Sequence, residues 1–169
     1  ELLKRHVSAL VLFTSWRQLN AVVSGLPKEL AEGLLVQGEG SKQALLQEHR
    51  QRIDNGQSSY LFGVASFSEG LDLPGEYCRH VVIVKLPFSV PDDPVDQAIA
   101  EWAEAQGRNA FYEISVPDAS LKLVQACGRL IRSESDYGTI SMLDKRIVTQ
   151  RYGRTLIESL PPFRLDLPA

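Results

Sequence analysis

Two arginines and a glutamine recur at helical spacing in residues 125–132 (QACGRLIR). At about 100° per residue, Gln125, Arg129 and Arg132 fall within roughly 60° of one another on a helix surface. Arginine is permanently charged, and its planar guanidinium can pair with two phosphate oxygens at once. Gly128 lies beside them without a Cβ, so a phosphate or another domain could approach closely. The spacing predicts a phosphate-binding helix face; the alternative is a solvated face made of good helix formers.

A glycine-containing loop with two carboxylates follows an apolar strand pattern at residues 66–75 (SFSEGLDLPG). Gly70 can adopt the positive φ that a sharp bend requires. Asp72 offers an acceptor to a ribose hydroxyl or to an arginine of another domain. Ligands of α/β sheets bind in the loops after the carboxyl ends of parallel strands. Taken alone, however, the segment could equally be a polar turn.

Short apolar runs alternate with helical patterns along the chain, which predicts an α/β fold in three layers with a mostly parallel sheet. The predicted strands are residues 9–13, 34–36, 60–65, 80–86 and 137–143. The predicted helices are residues 16–24, 42–54, 94–106, 118–132 and 149–160. Ser41 is placed to cap the helix that Asn55 and Gly56 end. We expect a truncated lead-in at 1–8, one domain over 9–160 and a C-terminal tail at 161–169.

Charge and composition limit the possible functions. The 169-residue chain has a formal net charge of −3, whereas a protein that binds nucleic acid by bulk charge is normally basic. Any DNA contact is therefore expected to be local or shared with other protein. No apolar run approaches the roughly 20 residues that cross a bilayer, and no signal peptide is recognised. We therefore expect no membrane partner and a cytoplasmic location.

The cysteines and one histidine are predicted to be structural. Cys78 and Cys127 lie 49 positions apart, a spacing that matches neither a zinc cluster nor a small secreted framework. An iron–sulfur cluster needs about four thiolates. Reduced, buried thiols are expected instead. His49 lies on the apolar side of its predicted helix, so we expect it to pack in the core.

Together the two polar segments resemble motifs V and VI of superfamily 2 helicases, in the XPD-like iron–sulfur branch that contains the bacterial DinG/YoaA-type proteins. Residues 67–72 (FSEGLD) are similar to motif V. Residues 125–132, followed by residues 144–146 (DKR), are similar to motif VI and its following strand. Residues 12–16 (LFTSW) are similar to the strand end that carries motif IV. The similarity continues to residue 162, so it covers nearly the whole chain.

The resemblance implies the second RecA-like motor domain of a helicase, in which two such domains clamp one ATP. The P-loop, the carboxylates that bind Mg²⁺ and the iron–sulfur cluster of this branch belong to the first motor domain. This chain has no Gly-x-x-x-x-Gly-Lys-Ser/Thr sequence. ATP and Mg²⁺ would therefore be shared with the first domain of the full-length protein. The fragment alone is expected to be inactive.

Site residues follow from the same resemblance. Arg129 and Arg132 would act as arginine fingers on the ATP phosphates, and Gln125 would help to place them or contact the γ-phosphate. The residues expected to couple the nucleotide to the DNA path are Glu69, Gly70, Asp72 and Gly128. The residues expected to contact the backbone of single-stranded DNA by neutral hydrogen bonds are Thr14, Ser15 and Ser66. Movement would be in the 5′ to 3′ direction that characterises this branch.

Two other functions are compatible with the sequence. In a DNA-binding module with no part in hydrolysis, Thr14 and Ser15 would matter and Arg129 would not. Trp102 could stack on bases, but its helical spacing with apolar residues favours packing. In a docking platform for a replication or repair protein, the amphipathic tail at 163–167 would carry the contact.

Overall fold

We describe the fold from a computed structural model, which covers residues 2–89, 93–131 and 136–167. The chain forms two compact units. The first consists of Glu1–Lys85 with Ala126–Asp144, and the second of Leu86–Gln125 with Lys145–Ala169. The predicted site residues fall in the first unit, apart from Gln125.

A parallel β-sheet forms the centre of the first unit. Within the described residues its strands are β1 (Ser8–Phe13), β2 (Leu34–Val36), β3 (Ser59–Val64), β4 (His80–Ile83) and β5 (Thr139–Met142). Their order is β2-β3-β1-β4-β5, and each neighbouring pair is parallel. Parallel neighbours require crossover connections that lie on the sheet faces. The predicted mostly parallel α/β fold is therefore confirmed.

Both faces of this sheet are covered by helices. Side chains alternate between the faces along a strand. On one face Val11 and Phe13 of β1 pack in a core with Leu19 of α1 (Trp16–Ser24). On the other face α3 (Lys42–Asp54) buries His49, whose Nδ1 lies 2.8 Å from Ser59 Oγ of β3. A short helix, α2 (Lys28–Ala31), precedes β2. The sheet therefore lies in the middle of three layers.

The bounds of α1 and α3 are as predicted because local capping sets them. Ser15 Oγ accepts a hydrogen bond from Gln18 N at 3.3 Å, and Ser41 Oγ accepts one from Ala44 N at 3.2 Å. Such side-chain acceptors satisfy amides that have no partner inside the helix. β2 also has its predicted bounds.

Other predicted bounds are wrong. β4 ends at Ile83 and not at residue 86. Its neighbour β5 ends at the same level, because Met142 is the register partner of Ile83. The predicted helix 118–132 is α5 (Val116–Cys127) and stops before Gly128. Residues 128–130 continue as a turn with i to i−3 hydrogen bonds, such as Leu130 N to Cys127 O at 3.1 Å. Glycine is a poor helix former, and tighter bonds are common where helices end.

The second unit is mainly helical. It contains α4 (Pro94–Ala105), a π-helical turn at Phe111–Ser115, most of α5, α6 (Arg146–Thr149) and α7 (Arg151–Glu158). The predicted helix 149–160 is confirmed over α7 but its bounds are wrong, because an extended Gln150 separates α7 from α6 and α7 ends at Glu158. Phe88, Phe111 and Tyr152 pack as an aromatic cluster with ring centroids 5.2–5.4 Å apart.

Candidate functional site

The loop that resembles motif V leaves the carboxyl end of β3. A 3-10 helical turn at Ala65–Ser68 buries the Phe67 side chain against Gly63, where a Cβ would lie only 2.6 Å from the Phe67 ring. Gly70 has a φ of +67°, as predicted. Leu71 and Leu73 are buried on either side of the exposed Asp72. Buried apolar residues thus anchor a loop whose polar side chains face solvent.

Cationic side chains from two parts of the chain bind carbonyl groups of residues 69–72, which we call the 69–72 loop. Lys42 Nζ of α3 donates a hydrogen bond to the Glu69 carbonyl. Arg50 Nη2, two turns further along α3, donates to the Asp72 carbonyl at 2.6 Å. Arg129 Nη1 lies 3.4 Å from the Leu71 carbonyl. Hydrogen bonds with a charged donor are stronger than neutral ones, so these contacts tie the loop to its surroundings.

Among the described residues, Arg129 brings the segment that resembles motif VI into contact with this loop. Arg129 is half-buried in the turn after α5, and Gly128 beside it is exposed. Gln125 is exposed on the last turn of α5. The prediction of a single helix face is wrong for Arg129, because α5 ends at Cys127. Arg132 lies outside the described residues.

The hydroxyl residues predicted to contact DNA lie at the carboxyl ends of neighbouring strands. β1 and β3 pair in parallel up to Phe13 opposite Val64, so Thr14 and Ser66 follow at the same edge of the sheet. Thr14, Ser15 and Ser66 are exposed. Ser15 Oγ caps α1 by accepting a hydrogen bond, which leaves its hydroxyl hydrogen available to another acceptor.

Lys42 and Arg50 were not predicted as site residues. They lie eight positions apart on α3, about 80° from each other around the helix axis, so both belong to one broad face. That face lines a groove together with Glu69 and Gly70. The spacing was visible in the sequence, but their acceptors are distant main-chain carbonyls that leave no sequence pattern.

The buried histidines have structural partners. His49 Nε2 lies 2.8 Å from the Tyr77 carbonyl, an acceptor, so the neutral ring carries its proton there and Nδ1 accepts from Ser59 Oγ. Burial, above all, lowers the pKa of His49, and the predicted packing of this residue is confirmed. His80 Nε2 lies 2.8 Å from Ser141 Oγ. Burial, with smaller contributions from His6 and Arg5, lowers the pKa of His80 to about 4.

The cysteines do not fit an iron–sulfur cluster. Cys78 and Cys127 are both buried, as predicted, and burial raises the pKa of Cys127 to about 12. The chain has two cysteines, whereas such clusters use about four thiolates. Across residues 2–89, 93–131 and 136–167, no three His, Cys, Asp or Glu side chains gather as a metal site. In the same part of the chain, no helix has the length and apolar character needed to span a membrane.

Trp102 is more exposed than its spacing predicts. Its relative exposure is 59%, and the Arg108 guanidinium lies 5.9 Å from the centre of its ring. The prediction that Trp102 packs in a core is therefore wrong. The face of α4 that packs is instead marked by Ala103, which is 2% exposed. The tail at residues 161–167 forms no regular secondary structure.

Comparison with known proteins identifies the family to which this chain belongs. The family model of the helicase C-terminal domain matches residues 2–163. The chain therefore belongs to the helicase C-terminal domain family.

Its relatives include the ATP-dependent DNA helicase DinG of Photobacterium profundum, which is 48% identical over 167 residues. That match covers 97% of this chain and 24% of the relative. DinG of Escherichia coli K12 is 40% identical over 165 residues, covering 98% of this chain and 23% of the relative. The chain thus spans about a quarter of the length of these relatives. The resemblance to DinG-type helicases is confirmed.

Solved XPD structures share the fold. An apo XPD structure matches with a TM-score of 0.69 and 24% identity, over 89% of this chain and 30% of that chain. An XPD helicase structure matches with a TM-score of 0.69 and 22% identity, over 94% of this chain and 28% of that chain. At these identities the likeness concerns the fold, and it confirms a RecA-like α/β architecture.

Proposed function

We propose that this chain is the second motor domain of an ATP-dependent DNA helicase and that it contributes Arg129 and Arg132 to ATP hydrolysis. The family membership and the DinG relatives support a helicase motor domain. The full-length protein would supply the first motor domain, with the P-loop, Mg²⁺ and an iron–sulfur cluster. Single-stranded DNA would be the track, followed in the 5′ to 3′ direction.

One observation carries the proposal: the 3.4 Å approach of Arg129 Nη1 to the Leu71 carbonyl. Two segments that the sequence separates by more than fifty residues meet at the edge of a parallel sheet where ligands bind. A guanidinium that donates to a carbonyl oxygen can also donate to a phosphate oxygen, since both oxygens accept hydrogen bonds from its planar fork of N–H groups. Such a donor stabilises the charge that shifts during phosphoryl transfer.

Residues at the carboxyl ends of β1 and β3 could also link the nucleotide to the DNA. Glu69, Gly70 and Asp72 are exposed on the loop that Arg129 contacts. Thr14, Ser15 and Ser66 follow the neighbouring strands and offer neutral hydroxyl donors to phosphate oxygens. A few neutral hydrogen bonds are compatible with a net charge of −3. Because full charges neutralise few phosphates in this arrangement, the affinity of the isolated chain for single-stranded DNA should be weak and should depend little on salt.

The proposal is tested by replacing the two arginines in the full-length protein. Arg129→Ala and Arg132→Ala should each reduce ATP turnover by about 10³- to 10⁵-fold, the range typical of arginine fingers. ATP affinity should change little, because the P-loop of the other domain would hold the nucleotide in the ground state. Lysine should restore little activity, since a point charge on a flexible stem does not reproduce the fork. Steady-state turnover and nucleotide binding provide the measurements.

Arg154→Ala is the matched control. Arg154 lies on α7, where its exposed side chain pairs with Glu158 at 2.8 Å, and its removal should leave turnover unchanged. Near-normal turnover in both Arg129→Ala and Arg132→Ala would overturn the catalytic role. A DNA-binding module would then be favoured if substitution of Thr14 and Ser15 still weakened DNA binding. Docking of a replication or repair protein on the tail stays a prediction.

A further inference from the structure

We propose that Lys42 and Arg50 are positioning residues that hold the 69–72 loop and thereby set where the Arg129 guanidinium rests. The inference rests on the proposed function, because it gives that guanidinium a defined position before it meets a phosphate. The contacts themselves, however, are independent of any activity.

Lys42 and Arg50 both extend from α3, a helix that is packed on the sheet. α3 is capped by Ser41 and buries Leu45 and His49 on the sheet. From this helix Lys42 binds the Glu69 carbonyl and Arg50 binds the Asp72 carbonyl. Positions 69 and 72 bracket the loop, so a fixed helix determines where both of its ends lie.

Each cation is also placed by an aromatic ring. Lys42 Nζ lies 5.5 Å from the centre of the Phe67 ring, and Arg50 Cζ lies 5.8 Å from that of Tyr77. Cations are attracted to ring faces at such distances. Phe67 is 4% exposed and belongs to the turn that precedes the 69–72 loop. The Lys42 ammonium group therefore contacts both the Glu69 carbonyl of the loop and the buried Phe67 ring of the preceding turn.

Apart from the buried side chain of Leu71, the 69–72 loop has little structure of its own that opposes local opening. Gly70 has a positive φ, and a Cβ there would meet no heavy atom of the described residues within 4 Å. Backbone hydrogen bonds join Glu69 N to Ser66 O at 3.2 Å and Leu71 N to Ser68 O at 3.1 Å. Short, exposed loops of this kind open locally at low cost in free energy. Two charge-assisted contacts raise that cost.

The Leu71 carbonyl lies between the two held carbonyls in the chain. Arg129 Nη1 contacts this middle carbonyl at 3.4 Å. A shift of the loop would therefore move the acceptor of Arg129. In a motor domain the guanidinium would exchange a carbonyl oxygen for a phosphate oxygen, and Lys42 and Arg50 would fix the starting point of that exchange.

The test compares Lys42→Met, Arg50→Met and the double variant in the full-length protein. Methionine keeps a long apolar stem and removes the charge. Arg52→Met is the matched control, since Arg52 also lies on α3 and donates to a main-chain carbonyl, that of Glu32 at 2.8 Å. Hydrogen exchange of peptides covering residues 66–73 reports on the loop. DNA-stimulated ATP turnover, with kcat and KM for ATP measured separately, reports on its consequence.

Exchange in residues 66–73 should accelerate on the order of tenfold in each single variant and more in the double variant, because each contact opposes local opening. DNA-stimulated kcat should fall on the order of tenfold, with KM for ATP nearly unchanged. Lys42→Arg and Arg50→Lys should recover most of both signals. Arg52→Met should alter neither.

Unchanged exchange in the double variant would overturn the positioning role, whatever the turnover. Faster exchange with normal stimulated kcat would overturn the link between the loop and Arg129. Normal turnover of Arg129→Ala would instead refute the proposed function while the exchange result stood. Exchange in β1 and in the rest of α3 identifies a variant that is globally unstable, and the conservative variants then decide the outcome.

Discussion

Gly70 adopts a φ of +67°, and Gly56, which follows α3, adopts a φ of +72°. A Cβ at either position would meet no heavy atom of the described residues within 4 Å, so only the backbone conformation resists substitution. We expect Gly70→Ala and Gly56→Ala each to lower the free energy of unfolding by about 1–2 kcal/mol, the usual cost of a left-handed residue with a Cβ. Chemical denaturation of the chain measures both changes.

The two variants should differ in function. Gly70→Ala should also reduce the stimulation of ATP turnover by DNA in the full-length protein, because it shifts the loop that Arg129 contacts. Gly56→Ala imposes the same backbone penalty away from that loop, so its stimulation should be normal. Equal stimulation in the two variants would contradict a coupling role for Gly70.

Single residues show where sequence reasoning about the site succeeds and where it stops. The positive φ of Gly70 was predictable because glycine adopts such a conformation at little cost. The contact of Arg129 with the Leu71 carbonyl was not predicted, since no local pattern joins distant segments and the family resemblance assigned Arg129 only to the ATP phosphates. Lys42 and Arg50 were missed because a main-chain acceptor leaves no trace in residue type. Trp102 was misjudged because helical spacing says which residues share a face but not which face is buried.

At the scale of elements, the junction between α6 and α7 depends on a close backbone approach. A Cβ at Gly153 would lie 2.0 Å from the Ile147 carbonyl oxygen and 2.6 Å from its carbon. Because backbone atoms cannot move aside cheaply, Gly153→Ala should destabilise the chain by about 3 kcal/mol. Thermal and chemical unfolding of the purified chain measure the loss.

Gly25→Ala controls for the loss of a glycine itself. At Gly25 the nearest atom to a new Cβ is the Ala21 carbonyl oxygen at 3.6 Å, an ordinary contact, and φ is −99°. Alanine fits such a position and restricts the unfolded chain, so stability should be equal or slightly higher. If Gly153→Ala were as stable as Gly25→Ala, the backbone between α6 and α7 would accommodate the new Cβ without cost, and the prediction would be wrong.

The helices differ in how far their ends could be predicted from the sequence. α1 and α3 follow local rules, because a serine acceptor at the start and an Asn-Gly pair after α3 determine their ends. The break at Gln150 accompanies the close packing of Gly153 on Ile147 of α6, a contact that periodicity does not record. The early end of α5 at Cys127 depends on one glycine within an otherwise helical pattern. The strands and the longer helices were therefore predictable, whereas the short helices α2 and α6 were not, and several ends were set by tertiary contacts.

At the scale of the whole molecule, the histidines make stability depend on pH. Burial lowers the pKa of His80 to about 4 and also lowers the pKa values of His49 and His6. An unfolded histidine titrates near 6.5. Below that pH the unfolded chain binds protons that the folded chain excludes, so stability should be full above pH 6.5 and fall from there toward pH 4. Each such histidine contributes at most about 1.4 kcal/mol per pH unit.

Denaturant unfolding between pH 7.5 and pH 5 tests this dependence. In His80→Gln an amide replaces the ring beside Ser141 and cannot be protonated in this range. We expect the variant to lose less stability on acidification than the parent chain, even where its stability at pH 7.5 is lower. Parallel pH profiles for the two proteins would show that His80 does not carry the effect.

The buried thiols have a practical consequence for following motion in this domain. Cysteine reacts with maleimides as the thiolate, and burial raises the pKa of Cys127 to about 12 and encloses Cys78. A single cysteine introduced at the exposed Gln43 would therefore be labelled in the native chain with little background from the natural thiols. A fluorophore there, next to Lys42 on α3, would report optically on the environment of the adjoining loop without removal of any native residue from the core.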